Sequence, residues 1–135
     1  MTLQLENKLS ELDRLLDSAE AFLDSHGVPL PMQYKIKLAL DEMFSNIVLY
    51  GYKPGDPPDT ILVDMTLSGN TFSAILNDGG IPFNPLEKEN ANIDLPVEER
   101  PIGGLGIHLV KKISHDLHYE RRENRNVFCF CIEVT

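Results

Sequence analysis

Basic residues are scarce in this chain. Its 135 residues carry 21 Asp and Glu against 12 Lys and Arg, a net charge of −9. A partner held through a phosphate backbone needs a basic patch, so the charge argues against nucleic acid as such a partner, and against an anionic membrane surface. A ligand with only a few phosphates is not excluded, because backbone N–H groups and a cation neutralise it locally. Long apolar runs are absent too. No segment is apolar enough to span a bilayer, and MTLQLENKL lacks the basic-then-apolar pattern of a signal sequence. A soluble, cytoplasmic protein is expected. Cysteine is sparse: Cys129 and Cys131 stand two apart in a predicted strand. They point from one face, a poor geometry for a bridge, and an isolated pair gives no zinc pattern. They are expected to be small buried apolar groups in a reducing compartment. The histidines His26, His108, His115 and His118 lack metal-ligand spacing, and His108 is expected to be a partly exposed helix residue. There is no internal repeat, and the length suits one domain over residues 1–135.

What is present is organised around Ile36 to Tyr52, IKLALDEMFSNIVLYGY. Ile36, Ala39, Leu40, Met43, Ile47 and Tyr50 recur at helical spacing and form one apolar stripe. Glu42 and Asn46, four apart, are neighbours on a face about a quarter-turn from that stripe. A carboxylate and an amide are thus set at the edge of a core, where burial of the charge needs compensation. The alternative is a solvated helix face.

Before this helix, Thr2 to Glu6 alternates weakly and predicts a short edge strand. Asn7 or Ser10 can cap a first helix, whose stripe is Leu12, Leu15, Leu16, Ala19, Phe22 and Leu23 and whose end is Gly27. The central helix is expected to begin near Pro31 or Met32, with Gly51 just past its end. Lys53 to Asp59 reads as a loop. Thr60 to Leu67 and Thr71 to Asn77 alternate as strands around the hairpin residues Ser68, Gly69 and Asn70. Asp78 keeps the phase of Phe72, Ala74 and Leu76. Leu86 to Pro101 has no periodicity, and a stretch of that length in a compact domain predicts a lid or binding loop at about residues 86–103. It runs into GGLG and the helical IHLVKKIS. Two strands, about Leu117 to Arg122 and Val127 to Val134, close the chain around a tight turn. Hairpin-joined strands predict a largely antiparallel sheet, and helices with one stripe each predict packing on one face of it. The fold class is therefore α+β, a two-layer sandwich.

Four pieces of this order carry chemistry. A glycine-rich loop opening a helix (Gly103, Gly104, Leu105, Gly106) offers free N–H groups and a positive dipole end to an anion; the alternative is a hinge. It is not a P-loop, since no Lys-Ser or Lys-Thr follows. Asp78, aligned with core residues, needs donors, and a purine amino group supplies one. Gly80 leaves room for a flat base, and Pro82 and Phe83 could wall it. The alternative there is an Asp-Gly turn at a strand end. Asn46 suits Mg²⁺, which takes few protein ligands beside phosphate oxygens.

Glu42 and Asn46 in DEMFSN, then Asp78, Gly80, Pro82 and Phe83 in NDGGIPFNP, then GGLGIHLV, resemble the N, G1 and G2 boxes of the histidine-kinase-like (GHKL) ATPases. Within that group the chain is most similar to the small anti-sigma-factor serine kinases, over nearly its whole length. The resemblance implies ATP and Mg²⁺ as cofactors, with Glu42 as the base that activates a hydroxyl and Asn46 as the Mg²⁺ ligand. It implies Asp78 and Gly80 at adenine, and Gly104 and Gly106 at phosphates. The implied partners are a sigma factor and a STAS-type antagonist protein whose Ser or Thr receives the γ-phosphate, and a homodimer is possible. The other function compatible with these motifs is a non-catalytic binding module that sequesters a sigma factor or another protein. Two departures stand out. These kinases often carry a basic residue where this chain has Tyr50. They often place a Thr of the last strand near adenine, and its expected counterpart here is Cys129.

Overall fold

The computed structural model describes residues 1–87 and 104–134. Among these, the order is β1 (Thr2–Glu6), α1 (Leu12–Ser25), α2 (Leu30–Gly51), β2 (Thr60–Ser68), β3 (Thr71–Asp78), α3 (Gly104–Ile113), β4 (His115–Arg122) and β5 (Arg125–Glu133). The strands form a single sheet in the order β1-β2-β3-β5-β4, and every neighbouring pair is antiparallel. The architecture is α+β: an open sheet with the helices on one face. The predicted lid, apart from the 3₁₀ turn Pro85–Glu87 at its start, lies outside the described residues.

Period-two burial explains the layering. Ile61, Val63 and Met65 of β2, Phe72, Ala74 and Leu76 of β3, and Phe128, Phe130 and Ile132 of β5 all point inward and are buried. They meet Leu15, Ala19 and Leu23 of α1, Ile36, Ala39, Leu40, Met43 and Ile47 of α2, and Val110 of α3 in one core. Each of the larger of these side chains contributes about 1.5–3 kcal/mol by leaving water. The helix α2 lies between the other two, against α1 and against α3. That placement also buries Phe44, outside the predicted stripe. No helix among the described residues is long and apolar enough to cross a membrane.

The opposite sheet face is uncovered by described residues. Ile75 is 41% exposed there. Cys129 pairs with Ile75 and Cys131 with Ser73, so both thiols lie on this face. The expected burial of the cysteines in the core is therefore not met: both are only half-buried, and partial burial pushes the Cys129 thiol up. Strand parity is the cause, since Phe128 and Phe130 take the inward positions.

Turn chemistry fixes the hairpins. Gly69 has φ +59° between β2 and β3, while Glu123 and Asn124 have φ +53° and +64° between β4 and β5. Positive φ at both central residues matches the strand twist in a two-residue hairpin, and Asn tolerates it well. At the end of α1, the Gly27 N–H donates to Asp24 O and the Val28 N–H to Leu23 O, each at 3.1 Å. This is a Schellman end with Gly27 at φ +69°.

Three sequence expectations change. Neither Asn7 nor Ser10 caps α1: a 3₁₀ turn, Leu9–Glu11, leads into it without a side-chain cap. Asn7 instead accepts from the Asp59 N–H through Oδ1 at 2.9 Å. The helix α2 starts at Leu30, with Pro29 as the residue before it. Gly51 is the last residue of α2 rather than the residue beyond it, and its carbonyl accepts the Ile81 N–H.

A Cβ at Gly27 would meet nothing within 4 Å, so only its left-handed backbone opposes a side chain. Gly27→Ala should destabilise the fold by about 1–2 kcal/mol. Urea unfolding should show this as a lower midpoint with an unchanged slope.

Candidate functional site

The site is built where β3 ends beneath the end of α2. The alternation of β3 carries Asp78 inward, and the residue is only 2% exposed. Two donors reach it: the Gly80 N–H at 3.0 Å and Asn126 Nδ2 at 3.1 Å. Both bonds from described residues end on Oδ2. Burial pushes the Asp78 carboxyl above the ordinary carboxylate range, against the pull of these two bonds and of the Arg125 and Arg121 charges. A carboxylate costly to bury is thus held with one oxygen saturated.

The loop after Asp78 folds back onto α2. The Ile81 N–H donates to Gly51 O at 2.9 Å. A Cβ at Gly80 would collide with that same Gly51 carbonyl and lie 3.0 Å from Asp78 Oδ2. Gly51 itself faces Asp78 Oδ2, which would sit 3.6 Å from a Cβ there. Gly80 therefore lets helix end, loop and carboxylate meet, whereas a Cβ at Gly51 would make only ordinary contacts. The room at Gly80 is taken up by backbone. Further along, Phe83 stacks on Tyr50 with ring centroids 5.7 Å apart at 28°. Pro82 is exposed. An open cleft of about 680 Å³ borders the loop, lined by Tyr52, Asp59, Gly79, Gly80, Pro82 and Arg121 among others, while Asn46 and Asp78 are not among its described walls.

Along α2, Glu42, Asn46 and Tyr50 follow at helical intervals of four, so one line runs from Glu42 to the Tyr50–Phe83 stack. Asn46 is 2% exposed and Glu42 is half-buried. The solvated-face alternative therefore fails for Asn46. Its Nδ2 donates to the Glu42 carbonyl at 2.5 Å, which makes Oδ1 the acceptor end of the amide. Gly104, Leu105 and Gly106 form the first turn of α3, which packs on α2; Gly103 lies outside the described residues. His108 is half-buried on α3, in keeping with a partly exposed helix position.

Sequence reasoning missed Asn126. It pairs with Asp78 across β3 and β5 and is 4% exposed. Its Nδ2 also donates to Ile81 O at 2.8 Å. Its Oδ1 accepts from Tyr119 Oη at 2.5 Å, Arg121 Nη1 at 3.2 Å and the Phe83 N–H at 3.3 Å. Arg121 Nη1 donates as well to Gly80 O at 2.8 Å. One amide thus joins the carboxylate, the loop and β4. Cys129 is corrected as the counterpart of the strand threonine: it lies on the other sheet face, and Asn126 occupies the position opposite Asp78. The available signal was parity, because Asn126 shares the phase of Phe128 and Phe130.

A helix carrying Glu and Asn, a buried strand-end Asp with a glycine loop, and a glycine-rich helix start occur on the helix-covered side of the sheet. Comparison with known proteins matches residues 5–132 to the histidine kinase-like ATPase domain family. The chain belongs to that family. Among curated relatives, the serine/threonine-protein kinase BtrW of Bordetella bronchiseptica is 25% identical over 95 residues, covering 70% of this chain and 66% of BtrW. The serine-protein kinase RsbW of Bacillus thuringiensis is 29% identical over 96 residues, covering 68% of this chain and 59% of RsbW. The chain thus matches less than two thirds of these relatives' length. Among solved structures, the histidine kinase domain of the Erythrobacter litoralis blue-light activated kinase EL346 superposes with TM-score 0.56 at 13% identity, over 93% of this chain and 60% of that one. The Acinetobacter baumannii histidine kinase AdeS gives 0.53 at 11% identity, over all of this chain and 68% of its own. These two likenesses establish the histidine-kinase-like ATPase fold.

In this family member, the raised carboxyl of Asp78 is a stability liability with a defined sign. Between the ordinary carboxylate range and the higher folded value, the unfolded state releases its proton first, so stability falls as pH rises and then levels off. Asn at this position can place its oxygen where Oδ2 stands and accept both bonds without the charge. Asp78→Asn should raise the melting temperature of the nucleotide-free protein at pH 7 to 8. The advantage should shrink as pH falls through the folded value and be gone only below the ordinary range, under about pH 3, where both states hold the proton. Thermal melts of the two proteins across pH check this.

Proposed function

We propose that the chain is an ATP-dependent protein kinase that transfers the γ-phosphoryl group to a Ser or Thr of a partner protein. The observation that carries the reading is Asp78, a buried carboxylate whose donors from described residues engage only Oδ2. The chemistry of the remaining oxygen suits an exocyclic amino group, which adenine has and guanine lacks at that ring position. Family membership and relatives named as serine or serine/threonine kinases support the same reading.

The residues present fit a magnesium nucleotide. When bound, it supplies the phosphoryl group and the charge neutralisation that phosphoryl transfer needs. Asp78 would accept from the base, with Gly80, Pro82 and Phe83 forming the loop around it. Asn46 would offer Oδ1 to Mg²⁺, a hard cation that prefers oxygen. Among the described residues no three His, Cys, Asp or Glu side chains converge as a metal set, so a cation there would rely on Asn46 together with phosphate oxygens and water. Gly103, Gly104, Leu105 and Gly106 would turn backbone N–H groups to the phosphates at the positive end of α3. Glu42, one turn from Asn46, would take the proton of the attacking hydroxyl. By the same reading the protein partners are a sigma factor and a STAS-type antagonist, the homodimer is a further expectation, and residues 1–135 act as one domain.

Base recognition is tested by calorimetry with ATP and GTP. The unmodified protein should prefer ATP. In Asp78→Asn an N–H donor takes the place of Oδ1 and faces the base's own donor, so ATP affinity should fall by about 1–3 kcal/mol. Equal affinity for the two nucleotides in the unmodified protein would refute adenine recognition.

Catalysis is tested at Glu42. Glu42→Gln is nearly isosteric and removes only the base. It should keep ATP and partner binding and lose phosphate transfer by roughly 10²–10⁴-fold. Label transfer from γ-labelled ATP to a Ser-bearing STAS partner reads this directly. A protein that binds its partner and nucleotide but transfers no label is instead the binding module.

A further inference from the structure

Asp59 lies at the end of the loop that follows α2, outside every motif described above. Tyr52, the first residue after α2, donates its hydroxyl to Asp59 Oδ2 at 2.6 Å. The Gly79 N–H donates to the same oxygen at 3.2 Å. One carboxylate oxygen thus ties the end of the helix carrying Glu42 and Asn46 to the residue that follows Asp78. Asp59 is itself anchored. Its N–H donates to Asn7 Oδ1 at 2.9 Å, and its carbonyl accepts the Asn7 N–H at 3.1 Å.

The chain is fitted to this contact. A Cβ on Gly79 would stand 2.6 Å from Asp59 Oδ2 and 3.0 Å from Arg125 Nη1. Gly79 has ordinary backbone φ, so close approach rather than a left-handed turn demands glycine there. Arg125 flanks the carboxylate and is held by Thr60 O at 2.9 Å and Asn77 O at 3.3 Å. Burial works to raise the Asp59 carboxyl, but the bonds from Tyr52 and from backbone N–H groups, with the Arg125 charge, hold it below the ordinary range. Burial, and then the bond to Asp59, push the Tyr52 hydroxyl well up, so it remains a donor. The Asp59 bond and the Asn126 amide therefore grip the two ends of one short loop, Gly79 to Phe83.

We propose that Asp59 is a positioning residue for the nucleotide site: through Gly79 and Tyr52 it fixes the Asp78 loop against the end of α2 without touching the ligand. This rests on the nucleotide reading given above. An unfixed loop leaves Asp78 in place on its strand but lets Gly80 and Ile81 drift from Gly51, so base selectivity suffers before the phosphoryl step does.

The test compares Asp59→Ala, Asp59→Asn, Tyr52→Phe and the double variant Asp59→Ala/Tyr52→Phe in the full chain. ATP and GTP affinities are read by calorimetry, and Gly79 amide exchange by NMR. Asp59→Ala should weaken ATP binding about tenfold, as expected for a lost bond to a charged group, and narrow the ATP-to-GTP preference. Transfer per bound ATP should be unchanged. Tyr52→Phe should act in the same direction, and the double variant should be no worse than Asp59→Ala, because the two act through one contact. Asp59→Asn, whose oxygen can accept both bonds, should recover most of the loss. Faster Gly79 exchange in Asp59→Ala should accompany these changes. If the unmodified protein binds ATP and Asp59→Ala binds it with equal affinity and selectivity, the proposal is overturned. If the unmodified protein binds no nucleotide, the nucleotide reading fails and the positioning role falls with it. Unchanged Gly79 exchange in Asp59→Ala overturns the contact itself.

Discussion

A carboxylate is buried at the tip of a strand beneath the last turn of a helix, and the rest of the site follows from how that charge is held. Asp78 cannot be solvated there, so Oδ2 takes one bond from its own loop and one from the neighbouring strand. The helix gives it no relief: α2 presents its carbonyl end at Gly51, the negative end of the macrodipole. The glycine at 80 and the amide at 126 are consequences of that placement. Two unfavourable environments for one anion, an apolar layer and a helix C-terminus, are offset by the two donors that converge on Oδ2.

Much of this was legible in the sequence because it depends on period and phase. The alternation Phe72, Ala74, Leu76, Asp78 predicted an inward carboxylate, and the four-residue interval between Glu42 and Asn46 placed both on one line of α2. What escaped was set by tertiary contact. Gly51 looked like a helix stop, since glycine commonly follows a last turn. It is instead the last helical residue, and its carbonyl accepts the Ile81 N–H at 2.9 Å, a contact with a loop about 30 positions later. Asn7 looked like a cap, and its side chain instead serves Asp59, 52 residues away.

The miss at Cys129 has a different cause. With the last strand taken to begin at Val127, Asn126 fell into the turn and could not be considered as a site residue. The hairpin is tighter than that: Glu123 and Asn124 make the whole reversal at positive φ, so Arg125 and Asn126 already belong to β5. Boundaries are the least certain part of a sequence reading, and here a shift of two residues decided which side chain faces the carboxylate.

The arrangement also divides the labour of the site. Asp78, Asn126 and the Gly79 to Phe83 loop are held by the sheet and by the end of α2, through short bonds between buried or half-buried groups. Such networks resist rearrangement because each partner left unpaired costs the full desolvation of a buried polar group. The glycine turn at the start of α3 belongs to a separate element that packs on α2 and puts Val110 into the shared apolar core. Apolar packing is non-directional and tolerates small displacements better than a hydrogen-bond network does. On the nucleotide reading proposed above, a fold built this way would fix the half that tells one base from another and leave adjustment to the half that meets phosphates.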